Sequence, residues 1–297
     1  MQPKILIIVV TFNGIDHIDS CFSPFKNLPE NMKCVAIDNA STDNTKDLLK
    51  KEYPTIELIE NSRNLGFGAA NNIGLRKAID EGYDFVYLLN QDAWIEHQDI
   101  LKLVEIAKEN PDYGIISPMQ VYADKKKIDK NFSKSIPGEM KDDFLLSENH
   151  PRKLYRVAGR TIQAAHWLVR VSALNKVGGF SPTFFHYGED TNLCRRMEYH
   201  GYNLGIVPSI LGIHNRENRK NTSQYLYLTR KNELKQILSN PNFSRKEIYK
   251  NLWKKMFNSF IDYKIKFFSI LFDYIKSYPQ NRKNRKLSIN QPTAFLK

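Results

Sequence analysis

The stretch Tyr87-Leu88-Leu89-Asn90-Gln91-Asp92-Ala93-Trp94 decides the fold. It closes an unbroken apolar run that begins at Phe85, after Gly82, and turns polar at Asn90. Such a short continuous run predicts a strand buried on both faces, as in a parallel sheet. Open α/β sheets bind their ligands at the carboxyl ends of these strands. Asp92 therefore falls where one carboxylate, phosphate oxygens and water can together hold Mg²⁺. Taken alone, an Asp that caps the next turn is the commoner meaning. The segments around it reverse that preference.

Working outward, strand and helix alternate. Ile5–Val10 reads as a strand with a helix after Asn13, and Cys34–Ile37 as a second strand. Asp43–Tyr53 reads as a helix capped by Asp43, Thr55–Glu60 as a strand, and Gly68–Glu81 as a helix leading into Phe85–Leu89. This βαβαβ rhythm predicts a doubly wound, mostly parallel sheet. A helix at Ile100–Glu109 and a strand at Gly114–Pro118 continue it, and the charge-rich stretch Ala123–Leu154 reads as a long loop over one sheet edge.

Composition bounds the class. A 297-residue chain with 41% apolar and 26% charged residues has the make-up of a soluble globular protein of one or two domains. The apolar run Ile5–Val10 is too short for a signal segment, and no stretch has the length of a membrane span. Three cysteines without metal-ligand or redox spacing predict a reducing, cytoplasmic compartment. The net charge of +12 is uneven: residues 1–215 carry 25 basic and 27 acidic side chains, residues 216–297 carry 19 and 5. The basic character thus belongs to the C-terminal region.

The chemistry-bearing segments follow strand ends. Thr11-Phe12-Asn13 after the first strand offers hydroxyl and amide groups to a base or ribose, and Asp38 after the second offers a pure acceptor for nucleoside donors. In Asn61–Asn72, two glycines permit close backbone approach and Arg63 is a candidate for a pyrophosphate. The spacing there matches neither a dinucleotide fingerprint nor a P-loop. Glu189 and Asp190 stand at the start of a helical run. Capping and dipole compensation explain such acids commonly, and a general base beside an acceptor-orienting group is the functional alternative. His214 is a candidate to complete a metal site with Asp92, imidazole suiting a borderline ion such as Mn²⁺. Trp167 reads equally as a strand's core aromatic and as a sugar-facing platform in an acceptor pocket.

With these residues in order, the chain resembles a family 2 inverting glycosyltransferase of the GT-A fold, in its bacterial rhamnosyltransferase-like branch. The matching segments are Val10-Thr11-Phe12-Asn13, Asp38-Asn39-Ala40-Ser41, Asn64-Leu65-Gly66-Phe67-Gly68, Asn90-Gln91-Asp92 and Gly188-Glu189-Asp190 with His214. The resemblance implies a GT-A catalytic domain over 1–215, with a nucleotide-sugar half to about residue 110 and an acceptor half after it. Residues 216–297 form a basic, amphipathic helical extension outside the resemblance. It implies that Thr11, Asn13, Asp38, Asn64 and Gly66 hold or border the nucleoside, and that Asp92 ends a D-x-D-type motif whose first position is Asn90 here. It also implies a divalent cation, Mn²⁺ or Mg²⁺, bound by Asp92 and His214. Asp190 would be the catalytic base, with Glu189 beside it in the acceptor site. The expected partners are a nucleotide-sugar donor and a glycan or polyprenyl-linked acceptor. Because Asn90 lacks the charge of the usual acid, a nucleotide-sugar-binding partner subunit without turnover is the second reading. A nucleotidyltransferase ranks third, its basic Gly-rich loop being absent after the first strand.

In the C-terminal region, Ile248, Tyr249, Leu252, Trp253, Met256, Phe257, Phe260 and Ile261 fall on one helical face. With the lysines and the run Lys264–Phe272 this predicts peripheral contact, through residues 240–286, with the inner face of the plasma membrane. The competing expectation is packing on the catalytic domain or pairing in a homodimer. Nucleic-acid binding is not expected, because the aromatics follow helical core spacing.

Overall fold

The computed structural model describes residues 2–146, 153–216, 223–262 and 267–296. Its strands are β1 (Ile5–Thr11), β2 (Met32–Asp38), β3 (Glu57–Glu60), β4 (Phe85–Asn90), β5 (Ala93–Trp94), β6 (Tyr113–Val121), β7 (Tyr155–Arg156), β8 (His166–Arg170) and β9 (Asn203–His214). They form one sheet in the order β3-β2-β1-β4-β8-β6-β9-β5, with β7 paired to β9. The helices are α1 (Ile18–Phe22), α2 (Thr45–Glu52), α3 (Phe67–Asp80), α4 (His97–Glu109), α5 (Gly138–Leu146), α6 (Val171–Val177), α7 (Glu189–Tyr199), α8 (Ser223–Ser239), α9 (Arg245–Asp262) and α10 (Phe267–Asn290).

The first four strands are parallel, as the apolar runs of β1, β2 and β4 predict. Successive residues go to opposite faces. Leu6, Ile8, Val35, Ile37, Val86 and Leu88 join one core with residues of α3, α6 and α7. Ile5, Ile7, Val9, Cys34, Ala36, Tyr87 and Leu89 join the other with residues of α1, α2 and α4. Beyond β4 the sheet is mixed: β8 runs antiparallel to both β4 and β6, and β6 and β9 are again parallel. The parallel character expected of most of the sheet resides in β3-β2-β1-β4 and in the β6–β9 pair. β9 passes through Pro208 without ending, because its register with β6 shifts between Pro118 and Met119 and leaves the proline in a bulge.

Two expectations are corrected. The stretch 123–154 is not simply a loop: Phe132, Ile136, Met140 and Phe144, spaced by four, are buried against the sheet as the chain enters and forms α5. Charge-rich neighbours hide that row in the sequence; residues 147–152 lie outside the described residues. Trp167 lines no acceptor pocket. It is fully buried, stacked on Phe180 at 6.1 Å, because β8 is an interior strand and turns this residue into the core between sheet and helices.

The C-terminal region is helical, as expected, and it packs on the rest of the chain. α8, α9 and α10 share a small core of Leu234, Leu238, Ile248 and Leu252. Asn284 then donates to Thr183 Oγ1 at 3.0 Å, Thr293 N to the Asn175 carbonyl at 3.1 Å, and Gly179 N to the Ala294 carbonyl at 2.9 Å. Leu296 is buried in the main core. Among the described residues no helix is long and apolar enough to cross a membrane.

Candidate active site

The strand ends collect the site. Thr11 and Asp38 are register partners at the ends of β1 and β2, and both are fully buried. The Asp38 carboxylate accepts from Thr11 Oγ1 at 3.2 Å, from Ser41 N at 2.9 Å and from Ser41 Oγ. Asn13 takes a left-handed φ of 46°, and its Oδ1 accepts from Thr42 N at 2.8 Å. Asn39 donates to Asn64 Oδ1 at 2.9 Å and accepts from Leu65 N at 2.9 Å, tying the loop after β2 to the loop after β3. Asn64 Oδ1 also accepts from Gly66 N at 2.8 Å. Gly66 is required: its φ is +83° and a Cβ would stand 2.2 Å from the Phe185 carbonyl oxygen. Arg63 is exposed on the same loop. Thr11, Asn13, Asp38, Asn64 and Gly66 are therefore brought together, bonded into one cradle. Asn39, which carried no expected role of its own, is its brace.

The loop after β4 is different. Gln91 grips the backbone of Phe12, accepting from its N at 2.8 Å and donating to its O at 3.2 Å. Asn90 Oδ1 is buried without a hydrogen-bond partner among the described residues. β5 pairs with the end of β9, setting Ala93 opposite His214, and so brings Asp92 to the imidazole. His214 Nε2 lies 3.3 Å from Asp92 Oδ1 and Nδ1 3.9 Å from Asp129 Oδ2, yet among the described residues neither ring nitrogen makes a hydrogen bond, although the residue is 1% exposed. Burial pushes Asp92 up, but His214 and Arg216 outweigh it and hold the carboxyl below its ordinary range. Two ligands adjacent on one octahedral ion stand about 3 Å apart. His214 Nε2 and the Asp92 carboxylate at 3.3 Å fit that demand. Among the described residues no group of three acidic, His or Cys side chains could hold a metal, so the remaining positions would fall to substrate oxygens and water. His166 plays no such part, its nitrogens being engaged by Tyr87 Oη and the Ile213 carbonyl, both at 3.0 Å.

Two residues complete the picture that sequence reading missed. Asp129, 1% exposed, holds Arg216 bidentately at 2.7 and 2.8 Å. Burial raises the Asp129 carboxyl, and Arg216 more than offsets it. The same guanidinium exerts its charge on Asp92 and on Asp190. No spacing signal links residues 87 positions apart, so neither could be paired from sequence.

Glu189 and Asp190 open α7, after Tyr187 and Gly188 in left-handed conformations. Glu189 is buried, its Oε2 has no hydrogen-bond partner among the described residues, and burial next to the Asp190 charge pushes its pKa up to about 8. Asp190 is half-buried, accepts from Thr191 N at 2.6 Å, and is raised by burial despite that bond and Arg216. A carboxylate with a raised pKa that remains partly open is a competent proton acceptor.

Helices on both faces of a sheet whose strand ends carry these groups define a nucleotide-sugar transferase architecture. The model of the glycosyl transferase family 2 matches residues 6–178, and the chain belongs to that family. It is 26% identical over 252 residues to the low-salt glycan biosynthesis hexosyltransferase Agl10 of Haloferax volcanii, covering 82% of this chain and 78% of that one. It is 27% identical to the rhamnosyltransferase WbbL of Escherichia coli K12, over 81% and 97% of the two chains. It is also 27% identical to an N-acetylglucosaminyl-diphospho-decaprenol L-rhamnosyltransferase of Mycobacterium tuberculosis, over 73% and 77%. In fold it is similar to S. aureus TarS residues 1–349 (TM-score 0.59, 14% identity, 96% of this chain and 83% of that one). The mannosyltransferase PcManGT of Pyrobaculum calidifontis, solved with GDP-Man and Mn²⁺, is similar too (TM-score 0.58, 14% identity, 100% and 85%). The chain is a glycosyltransferase with a GT-A-like fold.

Proposed function

We propose that the chain moves one sugar, with inversion, from a nucleotide-sugar donor to a hydroxyl of a glycan or lipid-linked glycan in bacterial surface-polysaccharide synthesis. Relatives named as rhamnosyltransferases favour dTDP-rhamnose as the donor, with a UDP-sugar second. A relative named for a diphospho-decaprenol acceptor favours a polyprenyl-linked acceptor, met by a cytoplasmic enzyme at the inner membrane face.

The observation that carries this reading is the shared cation. Arg216 bears its charge on both Asp92 and Asp190, and the loop that enters α7 is tied to the cradle, Phe67 N donating to the Phe185 carbonyl at 3.2 Å. We read the carboxylate at the β4 end and the one opening α7 as bordering one space. In that space Asp190 accepts the acceptor's hydroxyl proton as its oxygen attacks the anomeric carbon. The bond from that carbon to the nucleoside diphosphate breaks, and its electron pair leaves with the diphosphate. One positioned base suffices for such a single displacement. Glu189, neutral at pH 7 by its raised pKa, donates a hydrogen bond to the acceptor from Oε2, which has no hydrogen-bond partner among the described residues. The cradle of Thr11, Asn13, Asp38, Asn64 and Gly66 receives the nucleoside, and Arg63 and Asn90 turn toward the ribose and diphosphate. Asp92 and His214 would hold Mn²⁺ or Mg²⁺, which supplies charge stabilisation for the departing diphosphate. Arg216, fixed by Asp129, adds a second positive charge where negative charge grows.

The test is transfer by Asp190→Asn. It is expected to lose a factor on the order of 10²–10⁴ in rate while binding donor normally. Near-normal transfer by Asp190→Asn, together with its loss in Glu189→Gln, would exchange the two roles. Absence of transfer and donor hydrolysis in the parent, with donor bound, would favour the non-catalytic partner subunit.

A further inference from the structure

The single apolar face read along α9 is split in two by the fold. Ile248 and Leu252 are buried against α8 and α10, with Met256 packed beside them. Tyr249, Trp253 and Phe257, spaced by four, point outward at 62%, 76% and 57% exposure. On α10, Phe272 and Ile275 are likewise exposed. Lys246, Lys250 and Lys254 repeat the same spacing one residue along, so they flank the aromatic row.

Tyr249 also belongs to a second feature. With Arg245 on α9 and Tyr278, Arg282, Arg285 and Lys286 on α10 it lines a cleft of about 120 Å³. That is room for a phosphate group, given about 30 Å³ for each water it replaces. An adjoining groove of about 500 Å³ adds Lys283. Arg285 is committed to the Asn240 and Phe243 carbonyls. Among the described residues no carboxylate answers Arg245, Arg282, Lys283 or Lys286. The nearby acids are taken, Glu233 by Lys255, Asp273 by Lys231 and Glu247 by Ser244 N. Unanswered cations around a cleft, beside an aromatic row rimmed by lysines, make a surface that lacks both an anion and an apolar phase.

We infer that the outer face of α9 and the α9–α10 cleft dock on an anionic bilayer, with a lipid phosphate seated among Arg245, Arg282 and Lys286. The aromatic row lies just below the headgroups, where Trp and Tyr are favoured, and the lysines stand level with the phosphates. A second copy of this chain is the poorer occupant, since a two-fold contact would set these cations against themselves. The inference rests on the proposed function only for its purpose, which is to meet a lipid-linked acceptor where it resides. Binding to lipid is measurable without any sugar transfer.

The test is flotation of the full chain with vesicles of phosphatidylcholine alone and of phosphatidylcholine with phosphatidylglycerol. Binding is expected only to the second, falling as salt rises. Arg282→Glu/Lys286→Glu is expected to weaken it by roughly 30-fold or more, at about fivefold for each cation removed. Trp253→Ala/Phe257→Ala is expected to weaken it at all salt concentrations. Both pairs are exposed, so thermal midpoints and donor hydrolysis should match the parent's, and loss of hydrolysis in the parent itself would fail the transferase reading alone. Equal binding to neutral vesicles, or full binding by both double variants, would overturn the inference. So would binding of inorganic phosphate or single-stranded nucleic acid through these residues without vesicle binding, or a dimer abolished by Trp253→Ala/Phe257→Ala.

Discussion

The two halves of the site are built on opposite principles. At the ends of β1, β2 and β3 the polar side chains satisfy one another: Asp38 takes three bonds, and Asn39 and Asn64 close two loops. At the end of β4 and the start of α7 they do not. Asn90 Oδ1, Glu189 Oε2 and both nitrogens of His214 are buried without a hydrogen-bond partner among the described residues, the imidazole standing only in ion-pair reach of Asp92 and Asp129. Leaving buried polar groups unpaired costs roughly 1–3 kcal/mol each, so proteins rarely do it without a purpose. The first half closes on itself, and the second leaves buried polar atoms unanswered. On the function proposed above, the second is the half that a bound donor and metal would complete.

Substitutions can break that contrast. His214→Ala removes an orphaned group from the open half. It is expected to raise the divalent-ion concentration needed for transfer by on the order of 10–100-fold, with the thermal midpoint little changed. A metal titration of transfer checks it, and undiminished turnover in excess chelator would remove the metal from the account. Asp38→Ala strikes the closed half. Loss of its charge-assisted bonds, with Thr11 and Ser41 left unpaired, is expected to cost about 2–4 kcal/mol of unfolding free energy, read by urea denaturation. If Asp38→Ala proves as stable as the parent while losing donor, the cradle is not self-supporting and the contrast fails.

The pH dependence has a definite sign. The Glu189 pKa is raised to about 8 in the folded protein, well above the ordinary 4.5. Such a group leaves stability intact below pH 4.5 and erodes it as pH climbs toward 8, because the unfolded chain ionises first. Glu189→Gln, neutral at every pH, is therefore expected to melt higher than the parent at pH 8 and to lose that advantage near pH 4. Melting curves at the two values check it. A variant less stable at pH 8 would mean that the carboxylate is welcome where it sits.

Much of this was legible in the sequence, for reasons visible in particular residues. Ile5–Val10 and Phe85–Leu89 announce central parallel strands because nothing polar interrupts them, and the polar residues that follow mark the carboxyl edge of the sheet. Thr11, Asp38, Asp92 and Asp190 all stand at ends of elements, where composition changes abruptly. What resisted reading depends on contacts across the chain. The short β8 carries no signal for its direction or for the face Trp167 takes. The Asp129–Arg216 pair joins a stretch read as loop to a residue assigned to the C-terminal region. The α9 stripe is apolar throughout, and only the packing of α8 and α10 decides which part is covered. Lys264, Ile265 and Lys266 of the expected membrane-facing run lie outside the described residues.

The most direct test is the thermal midpoint of the parent with UDP-, dTDP- and GDP-sugars, each with and without Mn²⁺. A ligand that binds the folded state alone raises the midpoint by mass action, about 2.7 kcal/mol at a hundred times its Kd. The account predicts a clear rise with one nucleotide class, largest when Mn²⁺ is present, and loss of the Mn²⁺-dependent part in His214→Ala. No rise with any donor, or a rise indifferent to Mn²⁺ and to His214, would contradict a half-site left open for the metal and the donor diphosphate.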